Sequence, residues 1–187
     1  MAAFFGRSSN PKHQLKTQNS IIIRWQSDLS YTSKLLYGEN PKNLNQVINE
    51  EYESTSHEAK ITGLKANTKY YYAIVLGSGL YGDSTNFFVT SPIIGSIGKV
   101  SMAILGDCGS GKPQQKQVMA QVQDYFKNKK LDGILLLGDN AYYSGQDSEY
   151  QSNFFDMYKN TLLENTVIWP SPGNHDYGQR LVWPNDW

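Results

Sequence analysis

The first half of the chain alternates short runs of β-branched and aromatic residues with turn-forming residues. Residues 20–26 read Ser-Ile-Ile-Ile-Arg-Trp-Gln, and residues 69–76 read Lys-Tyr-Tyr-Tyr-Ala-Ile-Val-Leu. Runs of this kind, bounded by Gly, Pro, Asn or Ser, are typical of β-strands. The pattern predicts strands at 20–26, 33–37, 59–64, 69–76 and 86–90. The stretches 39–56 and 77–84 are predicted as loops, and the polar leader 1–14 as irregular. Short strands with regular turns favour a β-sandwich.

The pattern changes after residues 92–98, which contain two glycines and a proline between apolar residues and are predicted as a linker. From there, short apolar runs alternate with segments in which apolar residues recur at helical spacing. The pattern predicts strands at 99–105, 131–137 and 166–169 and helices at 113–130 and 148–164. A β-α-β-α-β order implies a parallel sheet with right-handed crossovers. The sequence thus predicts two domains, at 15–91 and 99–187.

Composition and charge narrow the classes of function. Lys and Arg together number 17, as do Asp and Glu, so neither a nucleic-acid binder nor a polybasic membrane binder is indicated. A single Cys excludes an internal disulfide framework and a cysteine-based zinc site. No apolar run approaches the roughly 20 residues that span a bilayer, and no signal peptide can be read at the N-terminus. Because the sequence has a single Cys, any metal must be held by oxygen and nitrogen ligands.

Polar side chains follow each of the three strands predicted in the second half. Because the carboxyl ends of parallel strands meet at one edge of an open α/β sheet, these side chains are expected to converge there. Carboxylate, phenol, amide and imidazole groups together suit hard or borderline cations, and two such cations can promote phosphoryl displacement. The candidate residues are Asp107, Asp139, Tyr142, Asn174, His175 and Asp176.

The same residues carry a resemblance to a known family. The motifs Gly106-Asp107, Gly138-Asp139-Asn140-Ala141-Tyr142 and Gly173-Asn174-His175-Asp176 resemble the first three motifs of the metallophosphoesterases. A Tyr stands three residues after the second Asp, and this spacing resembles that of the purple acid phosphatase branch.

The first half supports that resemblance. Leu64, Thr68 and Tyr70 resemble a tyrosine corner, in which a Tyr at the start of a strand bonds backbone a few residues upstream. With Trp25 on an early strand, residues 15–91 resemble a fibronectin type III module, the usual companion of the larger purple acid phosphatases. The expected fold is therefore a fibronectin III-like β-sandwich followed by an α/β metallophosphoesterase domain that is incomplete at its C-terminal end.

The resemblance implies a role for each site residue and a dinuclear centre of Fe(III) plus Zn, Mn or Fe(II). The reaction implied is hydrolysis of a phosphomonoester with an acidic optimum, in a secreted, extracellular or periplasmic protein. In the implied arrangement Asp139 bridges two metals, Asp107 and Tyr142 bind the iron, and Tyr142 as phenolate gives the purple colour. Asn174 would bind the second metal, and His175, oriented by Asp176, would contact the phosphate or protonate the leaving group.

The histidine content departs from the family pattern. Purple acid phosphatases use three further His ligands, in Val-x-x-His and Gly-His-x-His motifs, and these motifs do not occur in the sequence. The other histidines are His13 and His57, both predicted to be solvated surface residues. The expectation is a fragment with weak metal binding and little or no turnover.

Two other functions fit parts of the sequence. Residues 106–112 match the Gly-x4-Gly-Lys pattern of nucleotide-binding loops, but Pro113 stands where such a loop needs Ser or Thr for magnesium. A non-catalytic binding or adhesion protein, with the β-module as its working part, is the second alternative. Cys108 is predicted to be a small packed residue, because no adjacent base is legible that could make it a nucleophile.

Overall fold

The computed structural model describes residues 12–158, 161 and 165–178, with side chains from Leu15 onward. The chain divides into two compact units, one made of residues 1–100 and 162–168 and the other of residues 101–161 and 169–187. Each unit has its own sheets and is considered separately.

The first unit contains two antiparallel sheets. One has the order β1-β2-β5 and the other β4-β3-β6-β7, with β8 also paired to β6. Alternate side chains are buried along Ile21–Tyr31 and Ser54–Ile61, as in sheets whose inner faces share a core. The strands are β1 (Lys12–Gln14), β2 (Ile21–Tyr31), β3 (Ser33–Gly38), β4 (Gln46–Asn49), β5 (Ser54–Ile61), β6 (Lys69–Leu76), β7 (Gly79–Tyr81) and β8 (Phe87–Val89).

Each strand predicted in the first half overlaps an observed strand, but some of the bounds differ and other strands were not predicted. The strand at Lys69–Leu76 has the predicted bounds. The predicted leader contains β1, which pairs with β2, and the predicted loops at 39–56 and 77–84 contain β4, the start of β5, and β7. These polar segments form strands because neighbouring strands satisfy their backbone hydrogen bonds. Local composition does not indicate such pairing.

The expectation that His57 lies on the surface is wrong. On β5, His57, Ala59 and Ile61 are buried in alternation, and the His57 side chain has no exposed area. Its ring stacks on Trp25 with centroids 5.3 Å apart. The side chain of His13, also predicted to lie on the surface, is not among the side chains that the structure describes.

Hydrogen bonds explain why an imidazole can occupy this core. The Nδ1 atom of His57 lies 2.6 Å from Glu50 Oε2, and its Nε2 atom lies 2.9 Å from Ser27 Oγ. Ser27 Oγ also donates to the Leu29 carbonyl at 2.7 Å, within the stretch where the β2–β5 register shifts. Both ring nitrogens are therefore satisfied, which buried polar groups require.

The tyrosine corner is present. The Tyr70 hydroxyl accepts a hydrogen bond from the Lys65 backbone N–H at 3.0 Å. The Tyr70 ring is buried and stacks on Phe88 at 5.5 Å. The contact joins the turn before β6 to the start of that strand.

The second unit contains a three-stranded sheet of order β11-β10-β9, in which β9 and β10 are parallel. Residues between the first unit's last strand and β9 have no regular structure and include exposed apolar side chains. The elements are β9 (Met102–Leu105), α1 (Pro113–Phe126), β10 (Gly133–Leu136), α2 (Asp147–Glu149) and β11 (Ile168–Pro170).

The helix predicted at 148–164 is shorter and of another type. After α2, residues Tyr150–Phe155 form a π-helical turn, with Asp156 N donating to Gln151 O at 2.9 Å. Buried aromatic residues line this turn, including the adjacent Phe154 and Phe155. Residues 159–160 and 162–164 of the predicted helix lie outside the described part of the chain. Among the described residues, no helix is long and apolar enough to cross a membrane.

Candidate metal centre

The candidate site lies just beyond the carboxyl ends of two parallel strands. Asp107 follows β9 and Asp139 follows β10, and the two residues have φ angles of 51° and 52°. Residues other than Gly rarely adopt this left-handed backbone conformation. Residues that do so cluster at functional sites. The Asp107 backbone N–H donates to the Gly138 carbonyl at 3.1 Å. The two loops are thereby tied together.

Three oxygen atoms converge at this point. The Tyr142 hydroxyl lies 2.5 Å from Asp107 Oδ1 and 3.2 Å from Asp139 Oδ2. Burial and then the two neighbouring carboxylates raise the pKa of the Tyr142 phenol above its ordinary value. The arrangement places two carboxylates against one phenol, and hard cations prefer oxygen ligands of this kind.

The residues around Asp139 restrict the position of its carboxylate. A Cβ atom added to Gly173 would lie 2.2 Å from Asp139 Oδ1, so only Gly can line this side of the carboxylate. The His175 backbone N–H donates to the same oxygen at 3.0 Å. In the described part of the chain, no three His, Cys, Asp or Glu side chains group tightly enough to hold a metal. The cluster therefore depends on the Tyr142 phenol as its third donor.

Asn174 and His175 lie beside this cluster, after β11. Asn174 is exposed and precedes the 3-10 turn His175–Tyr177. The His175 ring lies 4.5 Å from the Tyr142 ring, centroid to centroid. Its Nδ1 atom lies 2.7 Å from the Tyr143 carbonyl oxygen, which can only accept, so Nδ1 carries the proton.

The carboxylate of Asp176, which was predicted to orient the His175 ring, has other hydrogen-bond partners in the structure. The carboxylate of Asp176 accepts hydrogen bonds from Asn140 N at 2.9 Å, Gly173 N at 2.7 Å and the Tyr150 hydroxyl at 2.5 Å. Its oxygens are occupied by donors that hold the loop after β10 against the loop after β11. The Tyr143 carbonyl orients His175 instead, because it lies at the right distance from Nδ1.

Two residues that sequence reasoning missed hold the loop carrying Tyr142. Glu149 accepts hydrogen bonds from the backbone N–H groups of Tyr143, Ser144 and Gln146, and Asn153 donates to the Tyr142 carbonyl. Burial works against the charge of Glu149, but the donated hydrogen bonds lower its pKa to about 2. A Glu three residues after the start of a helix is a known capping signal and could have pointed to it.

The neighbouring loop after β9 contains the Gly-x4-Gly-Lys pattern and leads into α1. The Gly111 N–H donates to Gln115 Oε1 at 2.9 Å, and α1 begins at Pro113 as predicted. Cys108 is buried, as expected of a packed residue, and burial raises the pKa of its thiol to about 12.

Comparison with known families covers both units. Residues 10–92 match the family model described as "Purple acid Phosphatase, N-terminal domain", and residues 100–187 match the model described as "Calcineurin-like phosphoesterase". Both units are thus similar to parts of purple acid phosphatases and calcineurin-like phosphoesterases. Its β-rich first unit and metallophosphoesterase-like second unit have the order that the sequence predicted.

The individual proteins to which the chain is similar are longer than the chain itself. It is 29% identical over 158 residues to Purple acid phosphatase 21 of Arabidopsis thaliana, a match covering 80% of this chain and 33% of that protein. The solved structure described as "Structure of PhoD" superposes with a TM-score of 0.61 over 91% of this chain and 40% of that one, at 13% identity. The second likeness shows the fold alone. The chain spans about a third of the length of the curated relative that it matches.

Proposed function

We propose that this chain carries part of a dinuclear metal site for phosphomonoester hydrolysis, of the acid phosphatase type. The observation that carries the proposal is the contact of the Tyr142 hydroxyl with both Asp107 and Asp139, at 2.5 and 3.2 Å. Three oxygen donors from two strand ends meet there, as an oxygen-ligated metal requires. The matches of the two units to purple acid phosphatase and phosphoesterase family models support the same reaction class.

Asp107 and Tyr142 would hold an Fe(III) ion, and Asp139 would be shared with a second ion, zinc, manganese or Fe(II), that Asn174 also contacts. Bound metals supply Lewis acidity toward the phosphate and a nucleophilic water at acidic pH. The chain's own part is to fix the donors. The His175 backbone N–H and the close approach of Gly173 restrict the Asp139 carboxylate, so this carboxylate is pre-organised to bind metal.

His175 would act on the phosphoester substrate. Its Nδ1–H is committed to the Tyr143 carbonyl, whereas its Nε2 has no hydrogen-bond partner among the described residues. In the imidazolium form, Nε2–H can donate to a phosphate oxygen or deliver its proton to the departing alkoxide. The fixed Nδ1 decides where Nε2 lies, so the Tyr143 carbonyl orients the acid.

Metal affinity of the chain by itself is expected to be weak. Three further imidazole ligands cannot come from the 187 residues, because the remaining histidines are His13 and His57 and His57 is buried in the first unit. We also propose a secreted, extracellular or periplasmic location, which the resemblance to purple acid phosphatases supports.

The test is titration of the purified chain with Fe(III), read by visible absorption. We expect a weakly bound complex with a phenolate-to-iron absorption band, and little or no hydrolysis of p-nitrophenyl phosphate. Tyr142→Phe should abolish the band, whereas Tyr125→Phe, at an exposed position on α1, should retain it. A wild-type chain without the band, a band that survives Tyr142→Phe, or metal-independent hydrolysis would contradict the proposal.

A further inference from the structure

The segment formed by α2 and the π-helical turn presents two polar side chains to the loop of residues 142–146. Glu149 and Asn153 are four residues apart, and residues at this spacing lie on one face of a helical segment. Both contact the backbone of the loop. Their sequence spacing therefore matches a two-point attachment.

The Glu149 carboxylate is saturated by donors from the loop. Oε1 accepts from Tyr143 N at 2.7 Å, and Oε2 accepts from Ser144 N and Ser144 Oγ at 2.9 Å each and from Gln146 N at 3.1 Å. Charge-assisted hydrogen bonds of this kind are stronger than neutral ones. Both oxygens are needed, because the donors are divided between them.

Asn153 fixes the other side of the loop. Its Nδ2 donates to the Tyr142 carbonyl at 2.7 Å, and the Tyr142 N–H donates to the Gly109 carbonyl at 3.0 Å. The backbone of Asn153 is itself held by Gln115 Nε2 at 2.7 Å. Both peptide groups that flank Tyr142 are therefore fixed in place.

The restrained loop aims two groups at the site. It carries the Tyr142 phenol, and its Tyr143 carbonyl accepts the Nδ1–H of His175 at 2.7 Å. A movement of the loop would displace the phenol and release the imidazole together.

We propose that Glu149 and Asn153 are positioning residues of the candidate metal centre, which hold the 142–146 loop so that Tyr142 and His175 keep their orientation. The metal-binding part of this proposal rests on the proposed function. The orientation of His175 does not, because it is a property of the metal-free chain.

The experiment compares Glu149→Gln with the wild-type chain and with Asp147→Asn. The control makes the same carboxylate-to-amide change two residues earlier, at an exposed position on α2. In the metal-free chain, ¹⁵N-histidine NMR reports the Nδ1–H of His175, and hydrogen exchange reports the amides of Tyr143, Ser144 and Gln146. In the second arm, Fe(III) titration reports affinity.

In Glu149→Gln we expect the Nδ1–H resonance of His175 to be lost and the three amides to exchange at least about tenfold faster. Fe(III) affinity should fall roughly 10- to 100-fold, in the range of residues that orient metal ligands. Glu149→Asp keeps two acceptor oxygens and should recover part of each effect. Asp147→Asn should match the wild type in all three measurements.

Asn153→Ala provides an independent test if Glu149→Gln does not fold, and it should give the same pattern. Unchanged His175 resonance and amide exchange in either folded variant would overturn the proposal. If the wild-type chain fails to bind Fe(III), the proposed function fails, and the His175 resonance still decides whether Glu149 and Asn153 position the loop.

Discussion

His57 lies in the core of the first unit although its side chain is polar. It can do so because Trp25 covers one ring face and Glu50 and Ser27 bond to both nitrogens. Glu50 Oε1 also accepts from the Glu58 N–H at 3.2 Å, so the network joins the turn before β5 to the strand itself. One side chain thereby connects β2, β5 and the preceding turn.

Replacement of His57 by Ala should destabilise the chain by roughly 2–5 kcal/mol, the range for truncating a large buried side chain. The change opens a cavity against Trp25 and removes the partner of Glu50, whose side chain is only 17% exposed. Urea denaturation followed by tryptophan fluorescence measures the loss. Ser56→Ala, at an exposed position on the same strand, should change the unfolding free energy by less than about 0.5 kcal/mol. Equal stability of the two variants would show that the network contributes nothing.

At the scale of elements, the helical segment 147–155 acts mainly through what it holds. It is too short to be stable by itself, since isolated helices below about 12–15 residues are marginal in water. Its buried face contains Tyr150, which donates to Asp176, and its residues Glu149 and Asn153 contact the loop of residues 142–146. The segment thus connects the loops that follow β10 and β11.

The hydrogen bonds of Glu149 to the loop should contribute to stability far into the acidic pH range. Its folded-state pKa of about 2 lies below its ordinary value of 4.5, so its contribution to stability is full above pH 4.5 and is lost as pH falls toward 2. The difference in urea midpoint between wild type and Glu149→Gln should therefore be constant above about pH 5 and shrink steadily toward pH 2. A difference that vanishes already at pH 4.5 would contradict this assignment. Persistence at pH 4–5 also suits the acidic optimum proposed for the site.

At the scale of the whole molecule, the sheet of the second unit has β9 at one edge of its described strands. Apolar side chains on and near this sheet are exposed: Met102 by 37%, Ile104 by 58% and Leu137 by 59%. Exposed edge strands with apolar side chains favour pairing with another chain. Self-association of the isolated chain is the expected consequence.

Ile104→Lys should reduce that association. We expect the wild-type chain to elute as larger species with rising concentration in size-exclusion chromatography, and the variant to shift toward the monomer, because a charge at an edge opposes strand pairing. The control is Ile97→Lys, at a fully exposed position before β9. A wild-type chain that stays monomeric at all concentrations would show that the β9 edge does not mediate self-association.

Part of the site could be derived from strand order alone. Acidic residues after successive parallel strands were expected to meet, and the structure places Asp107, Asp139 and Tyr142 within hydrogen-bond distance. Their roles as metal ligands stay predictions. The position of the strand Lys69–Leu76 and its tyrosine corner were also predicted, because turn residues and the alternation of side chains are local features.

By itself, the sequence determined the resemblance to purple acid phosphatases, the order of the two units and which polar side chains follow the strands. The tertiary structure decided which partners those side chains take. His57 became a core residue through Trp25 and Glu50, and the Nδ1 atom of His175 lies against the Tyr143 carbonyl. The physical reason is that a hydrogen bond selects its partner by distance and direction in three dimensions, and neither is encoded in the local pattern of residues.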